Sequence, residues 1–300
     1  MGAYLWMLIG SLFFAIMALL AESLKEQFSF PWISAIRSGV ATCLAFALAI
    51  FAGSKLVFFK PFTLWIRSLS GWISMMFCFY AMTHYDVEIV LALTNSYPIW
   101  VAILSWPILG IVPSLKSWIA LTISCVGMGW IYYGSYDEGT TVTTFSNPHW
   151  AIPAAILASI MSGVALINLH RLKGIDARAI VTHFSAVATL GSLLVWLALP
   201  LPKELIATDD WSLIRLIGVG IAATGGQLCL TKAFSTGSPA NVSIVGLSQV
   251  VFAAIFKWFL ERQVPSLLST LGMLLVMAAT IWVILGKSQP KQDAAPTTTT

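Results

Sequence analysis

Val112-Pro113-Ser114-Leu115 recurs as Val264-Pro265-Ser266-Leu267, 152 positions further on, each time at the start of an apolar run. The same offset carries Ala81 onto Ala233, Ala102 onto Ala254, Trp106 onto Trp258 and Trp130 onto Trp282. Slightly smaller offsets relate the earlier parts, Trp6 to Trp150 and Arg37 to His183. A repeated tetrapeptide with neighbours in register marks an internal repeat, so the chain reads as one unit used twice.

Composition says what the unit is made of. Of 300 residues, 58% are apolar and 9% charged, with a mean hydropathy of +0.88. A soluble domain carries about 25% charge, which excludes an ordinary water-soluble globule. The net charge of +4 is small and its basic residues are dispersed, so nucleic acid is not an expected partner. Cys43, Cys78, Cys125 and Cys229 stand singly in apolar stretches, giving neither a disulfide framework nor a metal site.

A membrane helix needs about 20 mostly apolar residues. Ten such runs occur: 3–21, 32–53, 63–83, 88–110, 115–134, 148–169, 179–199, 212–232, 239–260 and 266–286. The first has no basic start and no small-residue cleavage site, so it reads as a span rather than a signal peptide. The fold expected is an all-α integral membrane protein with ten transmembrane helices. Its units are residues 3–135 and 148–286, followed by a disordered cytoplasmic tail over 287–300.

Basic residues near span ends set the direction. With the N-terminus inside, the inner face collects Lys55, Lys60, Arg67, Lys116, Arg171, Lys173, Arg178, Lys232, Lys287 and Lys291. The outer face holds Lys25, Lys203, Arg215 and Arg262, together with the acids Glu22, Glu26, Asp137, Glu138, Asp209 and Asp210. Both termini are therefore expected in the cytoplasm, and the chain in the cytoplasmic (inner) membrane. Five spans per unit is an odd number, so the second copy enters the membrane in the opposite sense. Inverted repeats of this kind build transporters with a substrate site near the bilayer midplane. One repeat's outward-open shape is the other's inward-open shape, which gives two conformations of similar energy.

The chain also resembles a family, the EamA-like branch of the drug/metabolite transporter superfamily. The resemblance is carried by Ile66-Arg67-Ser68-Leu69-Ser70-Gly71, Phe79-Tyr80-Ala81-Met82 and Leu91-Ala92-Leu93-Thr94-Asn95-Ser96-Tyr97-Pro98. In the second half it continues in Ala233-Phe234 and Ser238-Pro239-Ala240. It implies a ten-helix bundle around a central cavity. It also implies transport, often outward, of small metabolites such as amino acids, nucleotide-like compounds, vitamins or drugs.

Polar side chains at depth are the candidate site, because lipid makes them expensive. Asn95 and Gln249 lie near the centres of the fourth and ninth spans, and Gln227 about a turn from the centre of the eighth. These amides either orient a polar substrate or bond one helix to another. Tyr97 and Pro98 follow Asn95, and a mid-span proline releases the carbonyl of Thr94, as a binding point or as a plain kink. Arg37 lies two turns into the second span, where it attracts an anionic group or snorkels to lipid phosphate. His183, its counterpart, titrates near neutral pH or is simply hydrogen-bonded. Glu88, Lys257 and Glu261 read as interfacial anchors.

Phe14, Trp72 and Trp100 are candidates for an aromatic cavity wall, with core or lipid packing as the other reading. Most other tryptophans fall near span ends, in an interfacial belt. No Asp or Glu stands in mid-span, so a carboxylate proton relay or sodium cage is not expected. Enzyme chemistry needs a nucleophile with a base, a metal cluster or paired acids, and no HExxH, GxSxG or carboxylate pair occurs within the spans, so neither enzyme chemistry, a metal nor a cofactor is expected. The expected partners are a small-molecule substrate and membrane lipid, with the chain a monomer or homodimer. The rival to a carrier is a passive channel or structural membrane protein, which the absence of charge rings or a carbonyl filter disfavours.

Overall fold

The computed structural model describes residues 2–24, 27–85, 87–135, 148–199, 210–261 and 264–286. Asp137, Glu138, Asp209, Lys25, Glu26, Lys203, Arg262 and the 287–300 tail lie outside the described residues, as do the side chains of Glu88 and Glu261.

Each apolar run is helical, since a chain in hydrocarbon must satisfy its own backbone. The helices are α1 (Gly2–Glu22), α2 (Phe30–Phe51), α3 (Phe62–His84), α4 (Val87–Thr94), α5 (Tyr97–Leu109) and α6 (Leu115–Ser135) in the first half. The second half has α7 (Pro148–Arg171), α8 (Ala177–Ala198), α9 (Asp210–Thr236), α10 (Pro239–Gly246), α11 (Ser248–Glu261) and α12 (Leu267–Leu285). The fourth and ninth runs are thus each two helices. Their breaks fall at Asn95-Ser96 and at Leu247, so Ser96 and Ser248 correspond under the 152-residue offset. Among the described residues, eight spans are long and apolar enough to cross a membrane, counting α4 with α5 and α10 with α11 as one span each. α3 and α6 are not among them. In α3 the cause is visible, because it buries Arg67, Ser68, Ser70 and Ser74.

Packing follows the lipid rule, with large apolar side chains outside and small ones between helices. Leu5, Phe51, Leu190, Leu194 and Trp211 are exposed, while Ala15, Ala45, Ala155, Ser11 and Ser124 are buried. In water such an outer surface would aggregate. The closest approach is backbone to backbone: a Cβ on Gly127 of α6 would stand 2.7 Å from the carbonyl oxygen of Gly272 in α12.

The largest helix contacts are α3 on α7, α1 on α9, α2 on α8 and α6 on α12. Exchanging the halves, α1 for α7 and so on through α6 for α12, turns the first of these pairs into the second. It returns the third and fourth to themselves. The secondary pairs α5 on α7 and α1 on α11 exchange in the same way, as do α2 on α9 and α3 on α8.

Hydrogen bonds show which helix ends share a face. On one face Ser117 Oγ donates to Asn241 Oδ1 (2.8 Å), Asn241 Nδ2 donates to the Tyr4 hydroxyl (3.3 Å), and His170 Nδ1 bonds the Phe234 carbonyl (2.6 Å). Ser54 Oγ donates to Asp176 there as well (2.8 Å). On the other face Lys257 Nζ pairs with Glu22 (2.8 Å), and Ser212 Oγ donates to Gln27 (2.6 Å). One correction to the charge count follows. Arg67 is not a loop residue: it sits inside α3, 3% exposed, and leaves the tally of inner-face cations.

Asp176 caps α8, accepting from the Arg178 backbone N–H at 2.8 Å. Partial burial pushes its carboxyl pKa up, but the Arg178 N–H, the Ser54 hydroxyl and the charges of Arg178 and Lys232 outweigh this and hold it below the ordinary value. A depressed folded pKa contributes stability above the unfolded value that is lost as pH falls through the folded one. Asp176→Ala is therefore expected to cost about 1 kcal/mol at neutral pH. The gap from the parent protein, read from thermal melts, should close in acid.

Candidate functional site

The two helix breaks meet. Gln249 Nε2, in the first turn of α11, donates to Asn95 Oδ1 at 3.0 Å, and Asn95 Nδ2 donates to the Tyr132 hydroxyl of α6 at 2.9 Å. Beside them Ser96 Oγ bonds Ser159 Oγ of α7 (2.9 Å), and Ser11 Oγ of α1 reaches the Gly246 carbonyl (3.3 Å). Both breaks are therefore tied to the opposite half by side-chain hydrogen bonds. Pro98 does not kink a continuous helix. It stands in the first turn of α5, where its missing N–H costs nothing, and Asn95-Ser96 form a turn before it. Tyr97 is buried, its ring end resting where a side chain on Gly246 would have to go.

A second polar cluster lies within about three turns of the ends of α3, α8 and α9. Arg67 Nη2 donates to Gln227 Oε1 at 3.0 Å, and the Arg67 guanidinium stands 4.3 Å from the centroid of the Phe184 ring. Next to it His183 Nδ1 bonds Ser68 Oγ at 2.8 Å, and its ring meets Trp65 edge-on at 4.7 Å. His183 Nε2 is buried without a hydrogen-bond partner. Sequence reasoning treated Gln227 and His183 separately and counted Arg67 among the inner-face cations. The available signal was Arg67's position inside the Ile66–Gly71 motif, six residues into its helix.

Among the described residues Arg37 makes no hydrogen bond or ion pair, and its Nε is sealed from water. It is not in contact with His183 through any hydrogen bond or ring interaction. The aromatic candidates lie on three different helix contacts. Phe14 packs on Gly226, beside Gln227; Trp72 packs on Gly191 with its indole N–H buried and unpartnered; Trp100 packs its Cβ on Gly163. A separate apolar groove of about 550 Å³ runs along α2, α8 and α9 past Trp32, Cys43 and Leu193, on the lipid-facing flank away from both polar clusters. No group of three or more metal-ligating side chains occurs among the described residues.

Chemically, the site offers amides, hydroxyls and a guanidinium in a dry bundle. It can bind and orient a polar ligand.

Comparison with known proteins places the chain in a family. The model of the EamA-like transporter family matches residues 1–133 and 149–285. The chain is similar to the pseudopaline exporter CntI of Pseudomonas aeruginosa, 26% identical over 278 residues, covering 91% of this chain and 92% of that one. It is similar to solute carrier family 35 member G1 of Homo sapiens, 24% identical over 263 residues, covering 83% and 68%. A protein of known crystal structure superposes with a TM-score of 0.82 at 14% identity, over 94% of this chain and 96% of that one.

Proposed function

Since the chain belongs to the EamA-like transporter family of the drug/metabolite transporter superfamily, we propose that it moves a small organic metabolite across the cytoplasmic membrane by alternating access. The architecture behind this reading is ten spans in two inverted five-helix repeats. The observation that carries it is the Asn95–Gln249 bond, which joins the two interrupted spans across the halves. Discontinuous helices facing each other near the midplane are where secondary transporters bind substrate. Principal helix contacts that map onto one another when the halves are exchanged support two end states, related by that exchange and of similar energy.

Export or exchange is the favoured direction. A relative is named as an exporter, and no mid-span carboxylate is present among the described residues to couple uptake to a proton or sodium gradient. Counterflow in proteoliposomes tests the carrier reading: internal substrate accelerates entry of labelled substrate through a carrier. Equal entry with and without internal substrate would mean a passive pore.

Orientation carries its own expected result. The face holding Lys55, Lys116, Lys173, Arg178 and Lys232 is assigned to the cytoplasm. A cysteine at Asp137 or Asp209 should react with an impermeant reagent on intact cells, and one at Lys173 should not. The opposite labelling pattern would invert the whole scheme.

A further inference from the structure

Among the described residues Arg67 is a charge without a counterion. It is 3% exposed, Nη2 meets only the neutral Gln227 amide, and Nε is sealed with no partner. Nη1 is left without a protein acceptor. Among the described residues no carboxylate lies within 4 Å of it. A guanidinium stays protonated, and a buried unpaired charge is among the costliest features a bundle can carry. Such residues inside a membrane protein mark a ligand path. Gly71 bears on this, because a Cβ there would stand 2.5 Å from Nη1, so the guanidinium packs against the α3 backbone in space that only a glycine leaves.

Gln227 is held in one orientation by its neighbour. Arginine only donates, so the amide oxygen must face Arg67 and the amide N–H groups turn the other way. Both groups then present donors and neither presents an acceptor. Phe184 backs the guanidinium with an aromatic face, which fixes its plane. A planar fork held in this way suits bidentate pairing with a carboxylate. One cation with neutral donors balances a single negative charge; a phosphate monoester carries about −1.5 to −2 and calls for more.

We infer that the transported solute carries a carboxylate, which docks on Arg67 and takes a further hydrogen bond from the Gln227 amide nitrogen. This rests on the transporter reading above, with Arg67 as the group that selects the anion.

The test uses purified full-length protein with benzoate and hexanoate as singly charged probes, each against its amide, and phenyl phosphate as the more highly charged anion. Thermal stabilisation reads binding, since a ligand of the folded state raises apparent stability. Carboxylates should stabilise the protein and the amides should not. Arg67→Gln should weaken the carboxylate effect about tenfold or more, as loss of a charge-assisted hydrogen bond implies. Gln227→Glu is the decisive variant, because it supplies an internal carboxylate. It should fold at least as well as the parent and lose the probe response. Arg67→Lys keeps the charge and loses the fork, and should retain only part of the response.

Equal stabilisation by acid and amide, tighter binding of phenyl phosphate, or an undiminished benzoate response in Gln227→Glu would each overturn the inference. Failure of the transporter reading looks different: carboxylates would bind in an Arg67-dependent way, yet give no counterflow.

Discussion

Asn95→Ala and Gln249→Ala are each expected to lower the counterflow rate about tenfold while shifting the thermal midpoint by only a few degrees. The asymmetry follows from where the bond lies. A side-chain hydrogen bond between membrane helices contributes on the order of 0.6 kcal/mol to stability, so folding tolerates its loss. Removing Asn95 nevertheless strips partners from both Gln249 and Tyr132, and each buried group left unpaired costs about 1–3 kcal/mol. That cost falls only on the conformation in which the breaks touch. Two end states of similar energy are displaced five- to thirty-fold by about 1–2 kcal/mol, enough to empty one of them.

Tyr132→Phe removes one of the two bonds and should give an intermediate rate. The measurement is initial-rate counterflow at matched amounts of reconstituted protein. Parental rates in both alanine variants would reduce the pair to helix glue and move the midplane site elsewhere.

Gly272→Leu is expected to abolish accumulation of folded protein. The Gly272 Cα carries no side chain because the Gly127 carbonyl and the Ile131 backbone nitrogen occupy the space a Cβ needs. Backbone does not swing aside as a side chain does, so α12 would have to move off α6 along its length. Overpacking a well-filled interior costs about 1–3 kcal/mol for added methylenes alone, and separating two helices costs more. Gly127→Leu should behave alike from the other side, whereas Gly129→Leu, with open space at its Cβ, should leave yield and melting nearly unchanged. Monodispersity in size-exclusion chromatography reads all three. A monodisperse Gly272→Leu at parental yield would mean that this close approach contributes little.

Membrane location, helical class and helix positions were legible because lipid imposes a length and a polarity on any crossing segment. The bounds expected from apolar runs lie within a few residues of those observed, as 179–199 against Ala177–Ala198 illustrates. Pairing of the halves was legible from Val112–Leu115 and its repeat. The interruptions were not. Pro98 announced a local event, but nothing in Gly246-Leu247-Ser248 distinguishes a break from continuous helix. Hydropathy also has no term for what a residue meets. Arg67 looked like a flanking cation because a charge six residues into a span is normally expelled to the interface, and only Gln227 and Phe184, far away in sequence, hold it inside.

By itself, then, the sequence determined that this chain is a multi-pass membrane protein and where, to within a few residues, its helices run. Those properties are set by local free energies of transfer, read one segment at a time. The tertiary structure alone decided that Asn95 meets Gln249, that Arg67 is buried without a counterion, and that Phe14, Trp72 and Trp100 lie on three separate helix contacts. Each depends on the rotation of one helix against another, which is fixed by glycine and serine contacts between distant segments and leaves no periodic trace in either strand of sequence.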